Sequence, residues 1–498
     1  MRNPAHELAI KARVQELTGM PVVCGHELSL DLGAYERGIT AYLNAQLIPI
    51  ATQFIRSIEE EITRRKMDSR LLMLKCDGSV VDINEALEKP IESIFSGPAA
   101  SLVGASHLSG LETCAVIDVG GTSTDVSMLE NGVPELCAEG AVVGGWQTKV
   151  KAIRMETSAM GGDSHVWVKN MKTNIGPRRV IPLCVAAVKY PGFLKALKDG
   201  RIPGTMHLEE NVQPTKFFVR TGIEPLDLGK LEKELFDRIG DFPTSLNDIF
   251  WKTQKTISPG LLDLLIRKRL IQAIGFTPTD ALHVLGEYTD WDREASKVGA
   301  KLLERYTQTD HIKLCKQIKQ DSARNMALKL LSFILKDVPS KEIEKILLSD
   351  RFTQFRMKIP VVLIGGPVVA YIGELKQILD ADIRIPEHAE VGNAVGAVVG
   401  KGIKRIEILI KSTYTQDKKR LVLLFSPQGR ETFGSYPEAL EYANTLGRKL
   451  IMEYMTKAGL NKGQVQIEVN KKDISLSEAG TIPIETKLVF VGVGMPTV

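Results

Sequence analysis

The stretch from Cys114 to Leu129, CAVIDVGGTSTDVSML, constrains the fold more than any other part of the chain. Its first residues are apolar and often β-branched, its last residues alternate between polar and apolar, and Gly120-Gly121 lie between them. This pattern predicts two strands joined by a tight turn, which is a β-hairpin. Two glycines at the turn let backbone N–H groups approach a bound phosphate, because no Cβ is in the way.

Hydroxyls and carboxylates surround the predicted turn. Thr122, Ser123 and Thr124 add hydroxyl donors, while Asp118 and Asp125 flank the tip. Carboxylates at these positions can hold a hydrated Mg²⁺ ion or a water next to a phosphate. An ordinary hairpin with a Gly-Gly turn has the same outline. An acid at a strand end followed by GGTSTD is the more specific pattern, and it favours phosphate binding.

Length and composition set broad limits. With 498 residues, of which 44% are hydrophobic, the chain can bury large cores and is expected to form two or more domains. The formal net charge of +4 gives no electrostatic case for nucleic acid or a membrane as the main partner. No apolar run reaches the roughly 18 residues that a membrane span needs, and the N-terminus lacks the apolar core of a signal peptide. We therefore expect a soluble, cytoplasmic protein.

The first hundred residues carry mostly helical patterns. Helices are predicted over Pro4–Leu17 and over Glu36–Lys66, with Pro49 as an irregularity in the second. A helix of small residues is predicted to begin at Pro98, and small side chains favour close backbone packing. The six cysteines are scattered without a CxxC pair, which favours buried free thiols over disulfides or a zinc knuckle.

Two further glycine pairs are candidates for ligand contact. Gly161-Gly162 precedes Asp163 and Ser164, which offer polar contacts to a nucleotide or substrate. Gly365, Gly366 and Pro367 follow a buried apolar strand, an arrangement that lays backbone against a flat ring or ribose. From the residues alone, a plain turn and an ordinary βα unit are equally good accounts.

The remaining regions show no catalytic pattern. Residues 226–345 are strongly helical, and three helices followed by a strand resemble a winged helix. Its only basic cluster, Arg267-Lys268-Arg269, lies beside many acids, which favours a solvated face over a nucleic-acid site. Residues 406–498 have a ββαββ pattern, typical of a small α+β domain for interaction or oligomerisation. His283 is predicted to be a core histidine.

Several strings occur in an order that resembles the hydantoinase A/5-oxoprolinase family over roughly residues 1–405. They are NPAHE at 3–7, GHELS at 25–29, ERGITAYLNA at 36–45, SGPAASLVGA at 96–105, DVGGTSTDVS at 118–127, GGDS at 161–164, GFTPTDALHVLG at 275–286 and IGGP at 364–367. The resemblance implies an α/β, actin-like or ribonuclease H-like ATPase domain over 1–405, with a helical insertion at about 223–345. The α+β domain at 406–498 follows it.

The resemblance also implies an activity and site roles. Members of this family hydrolyse cyclic amides such as 5-oxoproline with ATP, and relatives carboxylate ketones. Asp118 and Asp125 would then serve phosphate and Mg²⁺, and Gly365 and Gly366 would face the adenosine. The family is suspected to hold a divalent ion at His6 and His26 with an acid, and such ligands suit Zn²⁺ or Mn²⁺. Helix-start or surface histidines explain the same residues equally well.

The N-terminus of the sequence differs from the family pattern, and this difference affects the expected function. The family usually begins with a further domain that carries a first glycine-rich hairpin, and this sequence starts where that domain ends. A fragment, a lobe supplied by another chain and a lost ATPase all fit this observation. We expect ATP-dependent hydrolysis of a cyclic amide by an A-type subunit, together with a B-type subunit in an oligomer. The alternatives are a non-catalytic assembly or nucleotide-binding subunit and a subunit of an ATP-dependent ketone carboxylase.

Overall fold

The structure is a computed structural model that describes residues 4–29, 32–254, 257–349, 354–414, 420–457, 463, 465–474 and 483–494. Within these ranges, no helix is both long and apolar enough to cross a membrane. All six cysteines are free and five of them are buried, as the sequence predicts.

The helices are numbered in chain order. They are α1 (Ala5–Thr18), α2 (Gly25–Leu28), α3 (Ala34–Arg64), α4 (Ile83–Glu88), α5 (Ser96–Ser109), α6 (Leu183–Lys189), α7 (Phe193–Asp199), α8 (Lys230–Arg238), α9 (Leu246–Thr253), α10 (Pro259–Arg267), α11 (Pro278–Leu285), α12 (Arg293–Thr307), α13 (His311–Ile334), α14 (Ser340–Leu348), α15 (Ile372–Ile378), α16 (Gly392–Val399) and α17 (Tyr436–Lys457).

The strands are numbered in the same way. They are β1 (Leu72–Leu74), β2 (Val80–Asp82), β3 (Cys114–Val119), β4 (Thr124–Glu130), β5 (Val133–Pro134), β6 (Val142–Val143), β7 (Trp146–Gln147), β8 (Glu156–Ser158), β9 (Ser164–Lys169), β10 (Lys172–Arg179), β11 (Ile181–Pro182), β12 (Phe217–Arg220), β13 (Ile271–Gly275), β14 (Phe355–Arg356), β15 (Val361–Ile364), β16 (Leu379–Asp380), β17 (Ile383–Arg384), β18 (Gly402–Tyr414), β19 (Arg420–Ser426), β20 (Gly429–Phe433), β21 (Gln466–Ile474) and β22 (Glu485–Gly494).

The chain divides into two compact units that are not contiguous in sequence. Unit 1 comprises Met1–His107, Leu129–Arg154 and Gly392–Val498. Unit 2 comprises Leu108–Met128 and Met155–Val391. Residues on both sides of the predicted boundary at 405 therefore fall in unit 1.

The C-terminal part of unit 1 is a five-stranded sheet in the order β20-β19-β18-β22-β21. Alternate residues of the strands face α17 and form a core with it that includes Ile408, Leu424, Ala443 and Phe490. The predicted ββαββ pattern lacked one strand, because the sequence of β20, GRETF, shows no apolar periodicity. The predicted end of the helix, residues 458–460, lies outside the described residues.

The N-terminal part of unit 1 follows the predicted helices closely. The helix α3 runs from Ala34 to Arg64 and is continuous through Pro49. The small-residue helix α5 begins at Ser96, two residues before the predicted start. Its glycine face packs against α16, and the side-chain amide of Asn393 donates to the Gly97 carbonyl at 2.9 Å. Close backbone packing was the expectation for this helix, and the structure confirms it.

Unit 2 contains the sheet that carries the predicted hairpin. The strands β17, β15, β3 and β4 are neighbours in that order, and β8 pairs with the start of β4. The two central strands β3 and β15 run parallel, with Ile364 opposite Asp118. Almost every residue of β3 and β15 is buried, which explains their continuous apolar sequences. Parallel pairing places the C-terminal ends of both strands at the same edge of the sheet.

The helical region of unit 2 also follows the sequence. The helices α8, α9 and α10 precede β13, which pairs with β11 and β12. The helix α11 begins with a capping box, in which the Thr277 hydroxyl accepts from the amide of Asp280 at 3.2 Å. His283 is fully buried, and its Nδ1 lies 2.9 Å from the Thr279 carbonyl oxygen. It is therefore a core residue, as predicted.

Candidate functional site

The predicted hairpin is present, and its tip spans residues 120–123 between β3 and β4. The amide of Gly120 donates to the Ser123 carbonyl at 2.9 Å and closes the turn. Gly120 and Thr122 are exposed. Among the described residues, no protein acceptor receives the amides of Gly121 or Thr122. Two adjacent amides are thus available to an anion at the tip.

A second glycine loop supports the tip from behind. The amide of Gly162 donates to the Gly120 carbonyl at 3.0 Å, and the amide of Asp163 donates to the Gly121 carbonyl at 2.8 Å. A Cβ on Gly161 would lie 2.5 Å from the Gly120 carbonyl oxygen, which is too close for any side chain. These bonds use the carbonyl oxygens of Gly120 and Gly121 and do not involve the amides of Gly121 and Thr122. Gly161 and Gly162 are themselves buried, so their part in the site is to shape it.

A third glycine loop follows β15 at the same sheet edge. Gly365 has a φ of +117°, and a Cβ there would lie 2.3 Å from the Val119 carbonyl oxygen. Gly366 is exposed, and the nearest atom to its missing Cβ is the Tyr288 hydroxyl at 3.9 Å. Pro367 approaches Gly162 closely. Ligands in open α/β sheets bind at the carboxyl ends of the strands, and this edge carries all three glycine loops.

The predicted polar residues have different environments. Asp118 is the penultimate residue of β3 and is half-buried. Asp125 accepts a hydrogen bond from the Ser123 hydroxyl at 3.0 Å. The Thr124 hydroxyl donates to the Met160 carbonyl at 2.7 Å and the residue is buried, so it anchors the hairpin to the neighbouring loop. Asp163 Oδ2 lies 2.9 Å from an Arg179 guanidinium nitrogen.

Three residues at this edge were not identified from the sequence. Arg179 pairs with Asp163, and its guanidinium lies 3.3 Å from the position of a Cβ on Gly121. Thr279 donates through its hydroxyl to the Gly162 carbonyl at 2.8 Å. Tyr288 lies beside Gly366 and packs edge-on against Trp291, and burial raises its pKa to about 12. Nothing in the sequence placed Thr279 next to Gly162, because the two residues are 117 positions apart.

Unit 1 holds a separate group of metal-ligand types. The ligand atoms of Glu7, Cys24 and His26 all lie within 4.8 Å of one another. His26 Nδ1 lies 2.7 Å from the Glu7 carboxylate. Burial would raise the pKa of Glu7, but hydrogen bonds from His26 lower it, so the carboxylate is charged. His6 is exposed and is not a member of this group.

The donor set suits a borderline-soft cation. Thiolate, imidazole and carboxylate are the ligands that Zn²⁺ takes in proteins. Burial raises the pKa of Cys24, so its thiol keeps its proton in the absence of a cation. A bound cation would favour the thiolate and reverse that preference. Glu7 and Cys24 thus lie beside His26, whereas His6, which was predicted to bind the ion together with His26 and an acid, lies outside this group.

Comparison with known proteins adds an independent line of evidence. The family model described as Hydantoinase/oxoprolinase matches residues 37–241, a range that contains the hairpin and the Gly161 loop. Over these residues the chain is similar to that family. The resemblance stated from the sequence motifs is thereby confirmed.

Two curated relatives show the extent of the similarity. The acetophenone carboxylase gamma subunit of Aromatoleum aromaticum is 28% identical over 252 residues, which cover 48% of this chain and 33% of the relative. The 5-oxoprolinase of Dictyostelium discoideum is 27% identical over 265 residues, which cover 49% of this chain and 20% of the relative. The chain thus spans a third or less of the length of these relatives.

A solved structure supports the fold of this chain. The ATP-dependent caprolactamase from Pseudomonas jessenii superposes with a TM-score of 0.57 at 15% sequence identity. The match covers 99% of this chain and 63% of the other. The predicted α/β fold class is confirmed, and the chain shares its fold with that protein.

Proposed function

We propose that this chain is the nucleotide-binding part of an ATP-dependent enzyme that opens a cyclic amide, acting as an A-type subunit or as part of one. The observation that carries the proposal is the pair of amides at Gly121 and Thr122, which have no acceptor among the described residues. They lie at a sheet edge where three glycine loops allow close approach of a ligand. The family and the names of the relatives, 5-oxoprolinase and caprolactamase, give the reaction class.

Each part of the edge has a role in this proposal. The amides of the tip and the hydroxyls of Thr122 and Ser123 bind the phosphates. Asp118 and Asp125 hold Mg²⁺ or its water, and the ion would neutralise charge on the phosphates. Gly365, Gly366 and Pro367 face the adenosine. Arg179 fixes the carboxylate of Asp163 behind the tip.

ATP can activate the carbonyl group of a cyclic amide toward attack by water. An amide carbonyl is a weak electrophile, and phosphorylation of its oxygen makes the carbon more reactive. Water then adds to that carbon and the C–N bond breaks, so that the nitrogen leaves as the amine and the ring opens to an acyl phosphate. A second water hydrolyses the acyl phosphate to a carboxylate and phosphate. Positioning of the phosphates from both sides is what accelerates phosphoryl transfer. One hairpin holds them from one side, so we propose that a second lobe and a B-type subunit complete the enzyme in an oligomer.

Binding of ATP tests this proposal directly. We expect calorimetry on the full chain to detect ATP with Mg²⁺, and Asp125→Asn to weaken that binding by about tenfold, which is about 1.4 kcal/mol. The loss should vanish when EDTA replaces Mg²⁺, because the carboxylate acts through the ion. Asp199→Asn is the matched control, since Asp199 is an exposed carboxylate of unit 2 away from this edge.

Two outcomes would count against the proposal. No heat at millimolar ATP with Mg²⁺ would favour an assembly subunit in which the hairpin has a structural role. An equal loss with Asp199→Asn, or a loss that persists in EDTA, would show that Asp125 does not act through the metal ion.

Zinc binding is a separate part of the proposal. We expect His26→Ala to weaken Zn²⁺ binding by at least ~10-fold, because a ligand is lost, and His6→Ala to leave it unchanged. Equilibrium dialysis followed by metal analysis measures both. Equal losses in the two variants would instead support the pair of histidines predicted from the sequence, and no zinc in the unaltered chain would remove the site.

A ketone carboxylase subunit is the second candidate. The similarity to the acetophenone carboxylase gamma subunit over 48% of this chain favours it. Bicarbonate-dependent ATP turnover on a ketone, measured once partner subunits are supplied, distinguishes it from turnover on a cyclic amide.

A further inference from the structure

Two buried basic side chains lie side by side in unit 2. Lys216 Nζ lies 3.2 Å from His165 Nδ1. The exposed fraction is 1% for Lys216 and 0% for His165. A lysine is almost never fully buried unless an acid pairs with it, because the burial of an unpaired charge is costly. A buried lysine whose close polar neighbour is another base is therefore an unusual arrangement.

The acidic residues around the pair do not reach Lys216. Within the described ranges, no carboxylate oxygen lies within 4.0 Å of its amine. Glu210 attracts a charge on Lys216 from a greater distance, but its carboxylate lies 3.1 Å from the Arg178 guanidinium. Arg178 also pairs with Asp263 of α10. The two acids are thus engaged with Arg178, whose own charge acts against a charge on Lys216.

Hydrogen bonding of the pair is incomplete as well. A charged Lys216 can donate to His165 Nδ1 only when the neutral imidazole carries its proton on Nε2. His165 Nε2 is buried and has no partner among the described residues. A Cβ on Gly275 would lie 3.1 Å from it, so β13 packs against this edge of the ring. The Phe218 ring centre, 5.9 Å from Lys216 Nζ, offers only a weak cation–π contact.

This environment disfavours the charged form of both bases. Burial lowers the pKa of Lys216 to about 7, an effect that Glu210 opposes and Arg178 increases. Burial also lowers the pKa of His165 well below its usual value, and the charges of Lys216 and Arg178 act in the same direction. Solvated lysine and histidine have pKa values of about 10.4 and 6.5. Both groups therefore bind protons more readily once water reaches them, so a fall in pH favours opening of this region.

The pair lies where the segment 209–216 is attached to β9. His165 belongs to β9, and Lys216 directly precedes β12. The Gln213 side chain reinforces this attachment, since it accepts from the Val168 amide at 3.0 Å and donates to the Val168 carbonyl at 2.9 Å. Separation of the segment from β9 would expose Lys216 and His165 together.

The strand β9 connects this attachment to the candidate nucleotide site. It begins at Ser164, whose hydroxyl accepts from the Gly161 amide at 2.8 Å. The next amide, that of Gly162, donates to the Gly120 carbonyl at the hairpin tip. The segment, the strand and the loop behind the tip are thus joined by successive contacts within unit 2.

We propose that Lys216 and His165 form a pH-sensitive attachment, which holds segment 209–216 firmly on β9 at alkaline pH and weakens progressively as the pH falls through neutrality. Protonation puts charge where no close carboxylate receives it, so local opening that hydrates the bases becomes less costly. A nucleotide bound at the hairpin tip would lose support in the same pH range. That consequence rests on the proposed function, whereas the opening of β9 does not.

Hydrogen exchange on the full chain tests the attachment. Mass spectrometry at pH 9, 8 and 7 measures the opening of β9 and β12, after correction for the base-catalysed intrinsic exchange rate. Because the pKa of Lys216 is about 7 when it is buried and about 10.4 when it is solvated, the opening equilibrium should rise by more than about tenfold from pH 9 to pH 7. His165 contributes little in this range, since it is mostly neutral both buried and solvated.

Two charge-removing variants locate the effect. Lys216→Met replaces the amine by an apolar side chain of similar length, so the rise in opening from pH 9 to pH 7 should disappear. At pH 7 this variant should protect β9 at least as well as the unaltered chain, because no buried amine has to be kept neutral. Lys172→Met removes the same charge from an exposed position on β10 and should keep the full pH dependence.

Three results would overturn the proposal. They are an opening of β9 that does not change with pH in the unaltered chain, a pH dependence that persists in Lys216→Met, and weaker protection of β9 in Lys216→Met at pH 7. The last result would show that the amine stabilises the attachment. Equal loss of the pH dependence in Lys172→Met would also overturn it, because that result indicates a general effect of net charge. Failure of the proposed ATP binding would leave all these measurements unchanged.

Discussion

Gly365→Ala is expected to lower the free energy of unfolding of unit 2 by roughly 3 kcal/mol, from backbone strain and overpacking together. A φ of +117° is a conformation that residues with a Cβ rarely adopt, so the alanine is strained before it meets a neighbour. Its Cβ would also lie 2.3 Å from the Val119 carbonyl oxygen, which belongs to the adjacent strand β3 and cannot move aside cheaply.

Gly366→Ala is the matched control one residue away. Its φ is not positive, it is exposed, and the nearest atom to the new Cβ would lie at 3.9 Å. Its stability should therefore change by less than about 0.5 kcal/mol. Because Gly366 is assigned to the adenosine, the same variant should weaken ATP binding while the fold is intact.

Urea unfolding, monitored by hydrogen exchange at the amides of β3 and β15, measures the loss of stability in Gly365→Ala. Calorimetry with ATP measures the weaker binding expected for Gly366→Ala. Equal stability of the two variants would mean that the backbone of Val119 moves away from the new Cβ more easily than its burial indicates. Unchanged ATP affinity in Gly366→Ala would remove Gly366 from the adenosine site without affecting the assignment of the hairpin tip.

Local signals in the sequence predicted much of the fold. The hairpin followed from an apolar run, a glycine turn and an alternating run, all within sixteen residues of sequence. The three helices before β13 followed in the same way. These elements are determined by neighbours in sequence, so their patterns can be read without tertiary information.

Contacts between distant segments could not be predicted in this way. Nothing local indicates that Gly161 must be a glycine because of the carbonyl of Gly120, or that Arg179 pairs with Asp163. The division into units also depends on long-range contacts, which group residues 392–498 with the N-terminal segment. Sequence spacing alone therefore identified the loops of the candidate nucleotide site but not what holds them together.

The group of Glu7, Cys24 and His26 also depends on contacts between separate segments. His6 and Glu7 are adjacent on α1, and successive helical residues point about 100° apart. This rotation leaves His6 exposed and turns Glu7 toward Cys24 and His26. The sequence alone does not show which residue of the dipeptide His6-Glu7 faces Cys24 and His26, because that depends on how α1 is rotated about its axis.

Gly396→Ala is expected to destabilise unit 1 by about 3 kcal/mol, at the upper end for overpacking. The helices α5 and α16 touch through their backbones, and a Cβ on Gly396 would lie 1.8 Å from the Ala100 carbonyl oxygen. Gly104 occupies the same contact, since its Cβ would lie 1.9 Å from the Gly392 carbonyl oxygen. Relief of either clash requires the two helices to separate.

Gly38→Ala is a control for which the expected change in the free energy of unfolding has the opposite sign. Gly38 lies inside α3, and no atom lies within 4 Å of its missing Cβ. The alanine should stabilise unit 1 by about 0.5–1 kcal/mol through helix propensity and a less flexible unfolded chain. Hydrogen exchange at the amides of α5 and α16 reports where each change acts.

The double variant Gly104→Ala/Gly396→Ala tests whether one contact explains both losses. Once the first alanine has separated the helices, the second meets less resistance, so the double variant should lose less than the sum of the single losses. Strict additivity would mean that the two glycines act at independent contacts. Stabilisation of Gly396→Ala to the level of Gly38→Ala would mean that helix propensity outweighs the close approach, and that α5 and α16 are not held together by their backbones.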